Sequence, residues 1–179
     1  LWSPVLRKFR DLRVALSEGG IGWIPYFFDR VDWIYTRHHR WTGQDFGDQL
    51  PSQFFRERFV TCFIDDPSGI PNRHRVGIDT ITWECDYPHS DTTWPTSPEY
   101  LMKSFDGVPD DEIDKMTHRN AARHFRFDPF SARPKDDCTV GALRGQAVDV
   151  DVTPKSFGKR SGMTKASDLL GAGVRRAKA

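Results

Sequence analysis

Hydrophobic positions along the chain fall into three short strand-like runs separated by longer stretches with helical spacing. Arg13–Ser17 is a brief apolar run closed by Glu18-Gly19-Gly20, Phe59–Ile64 is a continuous apolar run closed by Asp65 and Asp66, and Asp79–Asp86 is a third strand ending on Asp86. Side chains alternate along a strand, so Ile81, Trp83 and Cys85 share one face of the third run and Thr82, Glu84 and Asp86 the other. Polar groups in such a row are costly to bury unless they find donors, water or a metal ion. The alternative is a half-exposed edge strand.

Between these runs the spacing predicts helices. Ser3-Pro4 opens a short one over Val5–Phe9. Trp23, Phe27, Val31, Ile34 and Tyr35 predict a long amphipathic helix from Ile21 to about Trp41, with Pro25 in its first turn. Leu50-Pro51-Ser52 starts a helix through Arg58, and Ser97-Pro98 starts one through Phe105. The last runs from Val108 to about Phe127, with Asp110 and Asp111 at its positive end and Ile113, Met116, Ala121 and Phe125 on one stripe. Strand and helix thus alternate three times, with crossovers long enough for parallel pairing. That is an α/β pattern. Three strands are few for a closed sheet, so a partial barrel or a truncated doubly wound sheet fits better than a complete fold.

Composition divides the chain in two. After Phe130 the aromatic residues dwindle to Phe157, and Gly, Ser, Lys and Arg dominate. Residues 131–179 carry ten basic and five acidic side chains, a net +5, which leaves residues 1–130 with 16 basic and 20 acidic, a net −4. The expectation is a folded unit over 1–130 and a largely disordered basic tail over 131–179, with a helix over Thr164–Lys178. The tail's charges are interrupted by Asp and lack aromatic neighbours, so it reads as solvated rather than as a nucleic-acid contact. No apolar run reaches membrane-spanning length, which argues against a membrane partner. Cys62, Cys85 and Cys138 form no C-x-x-C pair; Cys62 and Cys85 read as buried reduced thiols, and the compartment as cytoplasmic. Leu1 runs directly into Trp2-Ser-Pro, so the chain reads as part of a longer protein.

The candidate chemistry lies at the strand ends. The carboxyl ends of parallel strands gather on one rim, where catalytic groups concentrate. Asp66 stands directly before Pro67 and reads as a helix cap. Asp86 precedes Tyr-Pro, where capping explains little, and Glu18 sits between a strand and two glycines. His89, three residues past Asp86, is either a substrate contact or an exposed turn residue. His38, His39 and His74 lie among arginines as solvated basic positions, and His118 and His124 read as packing or capping residues. The chain has no H-x-H, H-E-x-x-H, G-x-G-x-x-G, Walker A or G-x-S-x-G motif. Gly19-Gly20-Ile-Gly22 lacks the lysine and spacing of a phosphate loop.

Four motifs carry a family resemblance: Leu16-Ser-Glu-Gly-Gly-Ile-Gly-Trp-Ile-Pro-Tyr26, Cys62-Phe-Ile-Asp-Asp66, Trp83-Glu-Cys-Asp-Tyr-Pro-His-Ser-Asp-Thr-Thr-Trp-Pro95 and Thr117-His-Arg-Asn-Ala-Ala-Arg-His-Phe125. In this order they resemble the C-terminal half of the amidohydrolase-related family. Its members are metal-dependent TIM-barrel hydrolases and decarboxylases, the aminocarboxymuconate-semialdehyde decarboxylase type among them. The resemblance covers residues 1–130 and implies the last three strands of a (β/α)8 barrel. It implies that Asp86 binds a divalent metal, zinc in the first place, or orients its water. Many relatives carry a His where this chain has Glu18, and the family's H-x-H has no counterpart here. The implied function is hydrolysis or decarboxylation of a small carboxylate-bearing substrate by the longer protein, with the isolated chain inactive. Asp86 would be metal ligand or base, Glu18 an acid/base or metal-positioning group, and His89 a substrate contact. A homo-oligomer is compatible with it. The alternative is a non-catalytic half-barrel module that binds a partner through its basic tail.

Overall fold

Three parallel strands, β1 (Val14–Leu16), β2 (Phe59–Phe63) and β3 (Ile81–Trp83), form one sheet in the order β1-β2-β3. The structure is a computed structural model and describes residues 1–151 and residue 153. β2 is buried at every position, as the central strand of a parallel sheet covered on both faces should be. In register, Leu16 lies beside Thr61 and Thr61 beside Ile81, while Cys62 lies beside Thr82 and Phe63 beside Trp83. One face therefore presents Leu16, Phe59, Thr61, Phe63, Ile81 and Trp83, and the apolar members of that set join the main core. The other presents Val60, Cys62, Thr82 and Glu84. The arrangement is a mixed α/β fold that fits the expected partial barrel.

Helix α1 (Val5–Lys8) precedes β1, and helices α2 (Ile24–Thr42), α3 (Pro51–Arg58) and α4 (Arg73–Val76) occupy the crossovers. Phe28 of α2 meets Phe55 of α3 edge-on at 5.2 Å, and Phe55 stacks on Phe59 of β2 at 4.3 Å. These rings weld the helical layer to the sheet, and each fully buried aromatic or aliphatic side chain contributes about 1.5–3 kcal/mol. Ile24, Phe28 and Val31 form the buried stripe of α2, whereas Trp23 is exposed. The helix ends at Gly43, whose φ of 66° supplies the left-handed cap that a side chain would disfavour.

Helices α5 (Ser97–Ser104), α6 (Asp110–Asp114), α7 (Asn120–Phe125) and α8 (Val140–Gln146) follow β3. The expected single helix over 108–127 is interrupted by a wide π turn at Lys115–Arg119 between α6 and α7. Met116 stays buried, but the next inward position is Asn120, so the expected stripe through Ala121 and Phe125 is wrong and Phe125 is 64% exposed. Asn120 is buried and donates its amide to the carbonyls of Ile78 and Ile81 at 2.7 and 2.8 Å, pinning the start of β3. Asn120→Leu should therefore cost about 2–4 kcal/mol by orphaning two carbonyls, read as a lowered urea midpoint with an unchanged slope.

Two other expectations need correction. The third strand stops at Trp83, not Asp86. One further ladder bond, from the Glu84 amide to the Phe63 carbonyl at 3.1 Å, extends it before the chain turns away. The face alternation thus ends at Glu84. Cys85 lies past the strand and is only half-buried, with its sulfur 3.6 Å from Thr92 Oγ1. Cys62 is buried, and burial pushes its thiol up to about 12, so it stays protonated and unreactive.

Order extends past Phe130: α8 lies within the segment expected as tail, and Arg144 reaches back to grip both carboxylate oxygens of Glu99 on α5 at 2.6 and 3.0 Å. The expected helix over Thr164–Lys178 lies outside the described residues. Among those described, no helix is long and apolar enough to cross a membrane.

His118 sits edge-on to Phe130, with ring centres 6.0 Å apart. Burial holds its imidazole below the ordinary value, Asp114 opposing and Lys135 and Arg119 assisting. The unfolded chain therefore binds this proton more tightly than the folded one. The contribution is fully present above the ordinary value of about 6.5 and is lost as pH falls through the depressed folded value. Urea melts between neutral pH and about pH 5 should lose part of their slope against pH in His118→Gln.

Candidate functional site

The carboxyl ends of the three strands converge on one rim, and the loops leaving them are held by side-chain to backbone bonds. After β1, Glu18 adopts a φ of 59°, in the left-handed region. Its amide donates to Glu84 Oε1 at 2.5 Å, tying the loop after β1 to the residue after β3. Glu84 thus acquires a partner for the polar face read from the sequence. Thr82 acquires one too, donating its hydroxyl to the Thr61 carbonyl at 3.0 Å.

Asp66 holds the same loop from the other side. Its Oδ2 accepts from the amides of Ile21 and Gly22 at 2.6 and 2.7 Å, and its Oδ1 from Gly69 at 2.8 Å. The close approach explains two glycines: a Cβ at position 22 would lie 2.7 Å from Asp66 Oδ1, and one at position 69 would lie 2.3 Å from Ile21 Cγ1. The Gly-Gly-Ile-Gly segment is a backbone anion nest, and its anion is the protein's own carboxylate. Asp66 caps its own turn, as expected, and also clamps a second loop, which its sequence position did not reveal.

After β3 the chain enters a turn with Asp86 at φ 56°. The His89 amide donates to the Asp86 carbonyl at 2.8 Å, Thr92 Oγ1 to the Cys85 carbonyl at 2.5 Å, and the Trp94 amide to Thr92 Oγ1 at 3.1 Å. The rings of Tyr87 and Trp94 lie 4.8 Å apart across the turn, and the peptides Tyr87–Pro88 and Trp94–Pro95 are cis. His89 Nδ1 lies 3.0 Å from Asp86 Oδ2, with the Asp86 side chain 13% and the His89 ring 67% exposed. In the tautomer with its proton on Nδ1, His89 donates to Asp86 and keeps Nε2 as an open acceptor.

These loops bring Glu18, Asp86 and His89 together, with one donor atom from each lying within 4.8 Å of the others. It is the only such group of three among the described residues. Two carboxylates and one imidazole suit a divalent ion of the zinc or manganese kind, and three protein donors leave positions open for substrate. The sequence reading made Asp86 alone the ligand; the fold gathers three donors. Two of them sit in backbone conformations that L-residues avoid. Such strain is kept where surrounding structure enforces it, and it clusters at functional sites.

A cavity of about 440 Å³ opens beside this group, walled by Glu18, Asp65, Asp91, Thr92, Thr93 and Tyr100. Neither Lys nor Arg lines it. The other five histidines are engaged elsewhere: His38 accepts from Trp41 at 3.1 Å, His39 meets the Tyr35 carbonyl at 2.9 Å, His74 meets Glu112 at 3.2 Å, His118 packs on Phe130, and His124 meets the Asp79 carbonyl at 3.0 Å.

The 5-carboxyvanillate decarboxylase of Sphingomonas paucimobilis superposes with a TM-score of 0.59 at 21% identity, over 71% of this chain and 37% of that one. An amidohydrolase of Mycobacterium avium subsp. paratuberculosis superposes with a TM-score of 0.55 at 18% identity, over 67% of this chain and 29% of that one. The chain therefore spans about a third of the length of these structures. No curated protein matches it. A family model described as amidohydrolase matches residues 1–127, and the chain belongs to that family.

Proposed function

We propose that this chain is the C-terminal portion of a metal-dependent enzyme that hydrolyses or decarboxylates a small carboxylate-bearing substrate. The supporting observation is the convergence of Glu18, Asp86 and His89 from two separate strand ends. When bound, a divalent metal, zinc in the first place, supplies Lewis acidity at this rim. Asp86 is a metal ligand or the base; with Oδ2 engaged by His89, its other oxygen is free to accept a proton. Glu18, on the cavity wall, positions the metal or exchanges a proton with substrate. His89 offers Nε2 to the metal or to the substrate, its ring oriented by Asp86 as ligating and catalytic imidazoles commonly are.

Electrostatics narrow where the substrate's carboxylate goes. Glu18, Asp65 and Asp91 line the cavity with no cationic side chain to offset them, so a carboxylate is repelled unless the metal receives it. Three free cysteines support a reducing, cytoplasmic setting. Because the chain spans about a third of the two superposed structures, turnover is assigned to the longer protein rather than to this chain alone.

The test is equilibrium dialysis of the purified chain against zinc and manganese, followed by metal analysis. One ion per chain is expected, and its loss in the Glu18→Gln, His89→Gln double variant. A chain that takes up neither ion would defeat the reading. A second reading, a non-catalytic half-barrel module, draws support from the unpaired outer edges of β1 and β3, which invite pairing with another strand. A metal-free chain that co-purifies stoichiometrically with one protein would favour it.

A further inference from the structure

At the opposite end of the sheet lies a second cavity that the strand-end chemistry does not use. The residues entering the strands, Arg13 before β1, Arg58 before β2 and Thr80 before β3, border a space of about 940 Å³. Six arginines line it: Arg10, Arg13, Arg56, Arg58, Arg123 and Arg126. Only three carboxylates share the lining, those of Asp11, Glu57 and Asp79, so the surplus is three positive charges. Two of the three are occupied elsewhere, Asp79 pairing with Lys115 at 3.0 Å and Glu57 accepting from the Gln49 amide at 2.5 Å. Among the described residues, none of the six arginines is in an ion pair.

The cluster is built rather than incidental. Arg56 donates to the carbonyls of Val76 and Arg75 at 3.2 and 2.6 Å, and Arg123 donates to the Asp79 carbonyl, so both guanidinium groups are fixed by backbone. Arg58 lies over the Phe54 ring at 5.5 Å, and its Nε is buried without a hydrogen-bond partner. Arg126 is held at φ 53° just past α7. Like charges gathered in one concavity repel one another, and a polyanion converts that repulsion into binding.

We propose that this cavity binds a small, multiply charged phosphate compound through its phosphates. The guanidinium fork matches phosphate oxygens two at a time, and a surplus of three charges suits a pyrophosphate-like group better than a lone carboxylate. No Phe, Tyr or Trp lines the cavity, so it offers no platform for stacking a run of bases as single-stranded nucleic acid requires.

The test is calorimetric titration of the chain with inorganic pyrophosphate in metal-free buffer, at low and high salt. One site per chain is expected, weakening as salt rises. Among the described residues the side chains of Arg10 and Arg126 make no hydrogen bond or ion pair, so the Arg10→Gln, Arg126→Gln double variant leaves the fold undisturbed. It should weaken pyrophosphate binding about tenfold or more. Glu18→Gln, at the other end of the sheet, should leave it unchanged. Absence of saturable binding overturns the proposal, as does equal affinity in the double variant. A short single-stranded oligonucleotide binding more tightly than pyrophosphate overturns the small-ligand assignment.

Discussion

Asp86→Asn should remove divalent-metal binding from the chain while leaving its fold intact, and Glu18→Gly should weaken binding while making the chain more stable. The two expectations come from the same pair of backbone angles. Asp86 holds a φ of 56° and Glu18 a φ of 59°. Asn tolerates the left-handed region as well as Asp does, so Asp86→Asn changes the donor and little else. Substitutions that merely disturb groups orienting a metal ligand already cost about 10–100-fold in affinity; loss of the ligand itself should reach the upper end of that range or exceed it. Glu18 has a longer side chain and less tolerance for the left-handed region, where an L-residue costs roughly 1–2 kcal/mol. Gly relieves that strain at a cost of roughly 0.5–1 kcal/mol in unfolded-state entropy. The net gain is about 0.5–1 kcal/mol, a rise in melting temperature of about 2–3 °C. A residue kept for stability would show the opposite sign. Metal affinity by competition titration and melting temperature by calorimetry read both effects. If Glu18→Gly melts lower than the parent chain, or Asp86→Asn still binds zinc as tightly, the placing of these residues at a metal centre is wrong.

Much of this fold was legible because hydrophobic continuity survives translation into structure. Phe59–Phe63 reads as a central strand from its unbroken apolar run, and it is buried on both faces. The long helix after Gly22 was legible from its spacing and from Pro25 in its first turn. The failures are local. The inward position four residues past Met116, the regular helical step, is the polar Asn120, which a search for apolar residues passes over in favour of Ala121. Period two carried the third strand on to Asp86, whereas the ladder gives out after Glu84 and the chain turns through a left-handed Asp86. The candidate site divides the same way. Acids at strand ends were visible because parallel strands put those ends on one rim, which motivated Glu18, Asp86 and His89. The contact between Glu84 and the Glu18 amide was not visible, since it joins residues 66 positions apart. The basic cavity at the other end was also unreadable, because its arginines come from separate segments that only the sheet brings together.

Asp66→Ala should be the most destabilising single change on the candidate-site rim, and it should also weaken metal binding without touching a metal donor. The Asp66 carboxylate accepts three backbone amides, those of Ile21, Gly22 and Gly69, all at 2.8 Å or less. Ile21 and Gly69 are buried, so water replaces the lost acceptor poorly. Hydrogen bonds to a charged group are worth about 1.5–3 kcal/mol each, and partial exposure of Asp66 reduces the total to about 3–5 kcal/mol. That lowers the melting temperature by about 10 °C. Asp66→Asn keeps one carbonyl acceptor but turns an amide donor towards another donor, and should lose roughly half as much. The neighbouring Asp65 provides the control: it is exposed and accepts only from the Ser104 hydroxyl at 3.1 Å, so Asp65→Ala should cost less than about 1 kcal/mol. The effect on metal arises because Asp66 fixes the loop that begins at Glu18. Freeing Ile21 and Gly22 lets Glu18 leave its narrow left-handed well, and the third donor is no longer preorganised. Zinc affinity measured well below the melting temperature should then fall in Asp66→Ala and stay unchanged in Asp65→Ala. Equal stability losses in the two variants would show that the loop is held by something other than the Asp66 carboxylate.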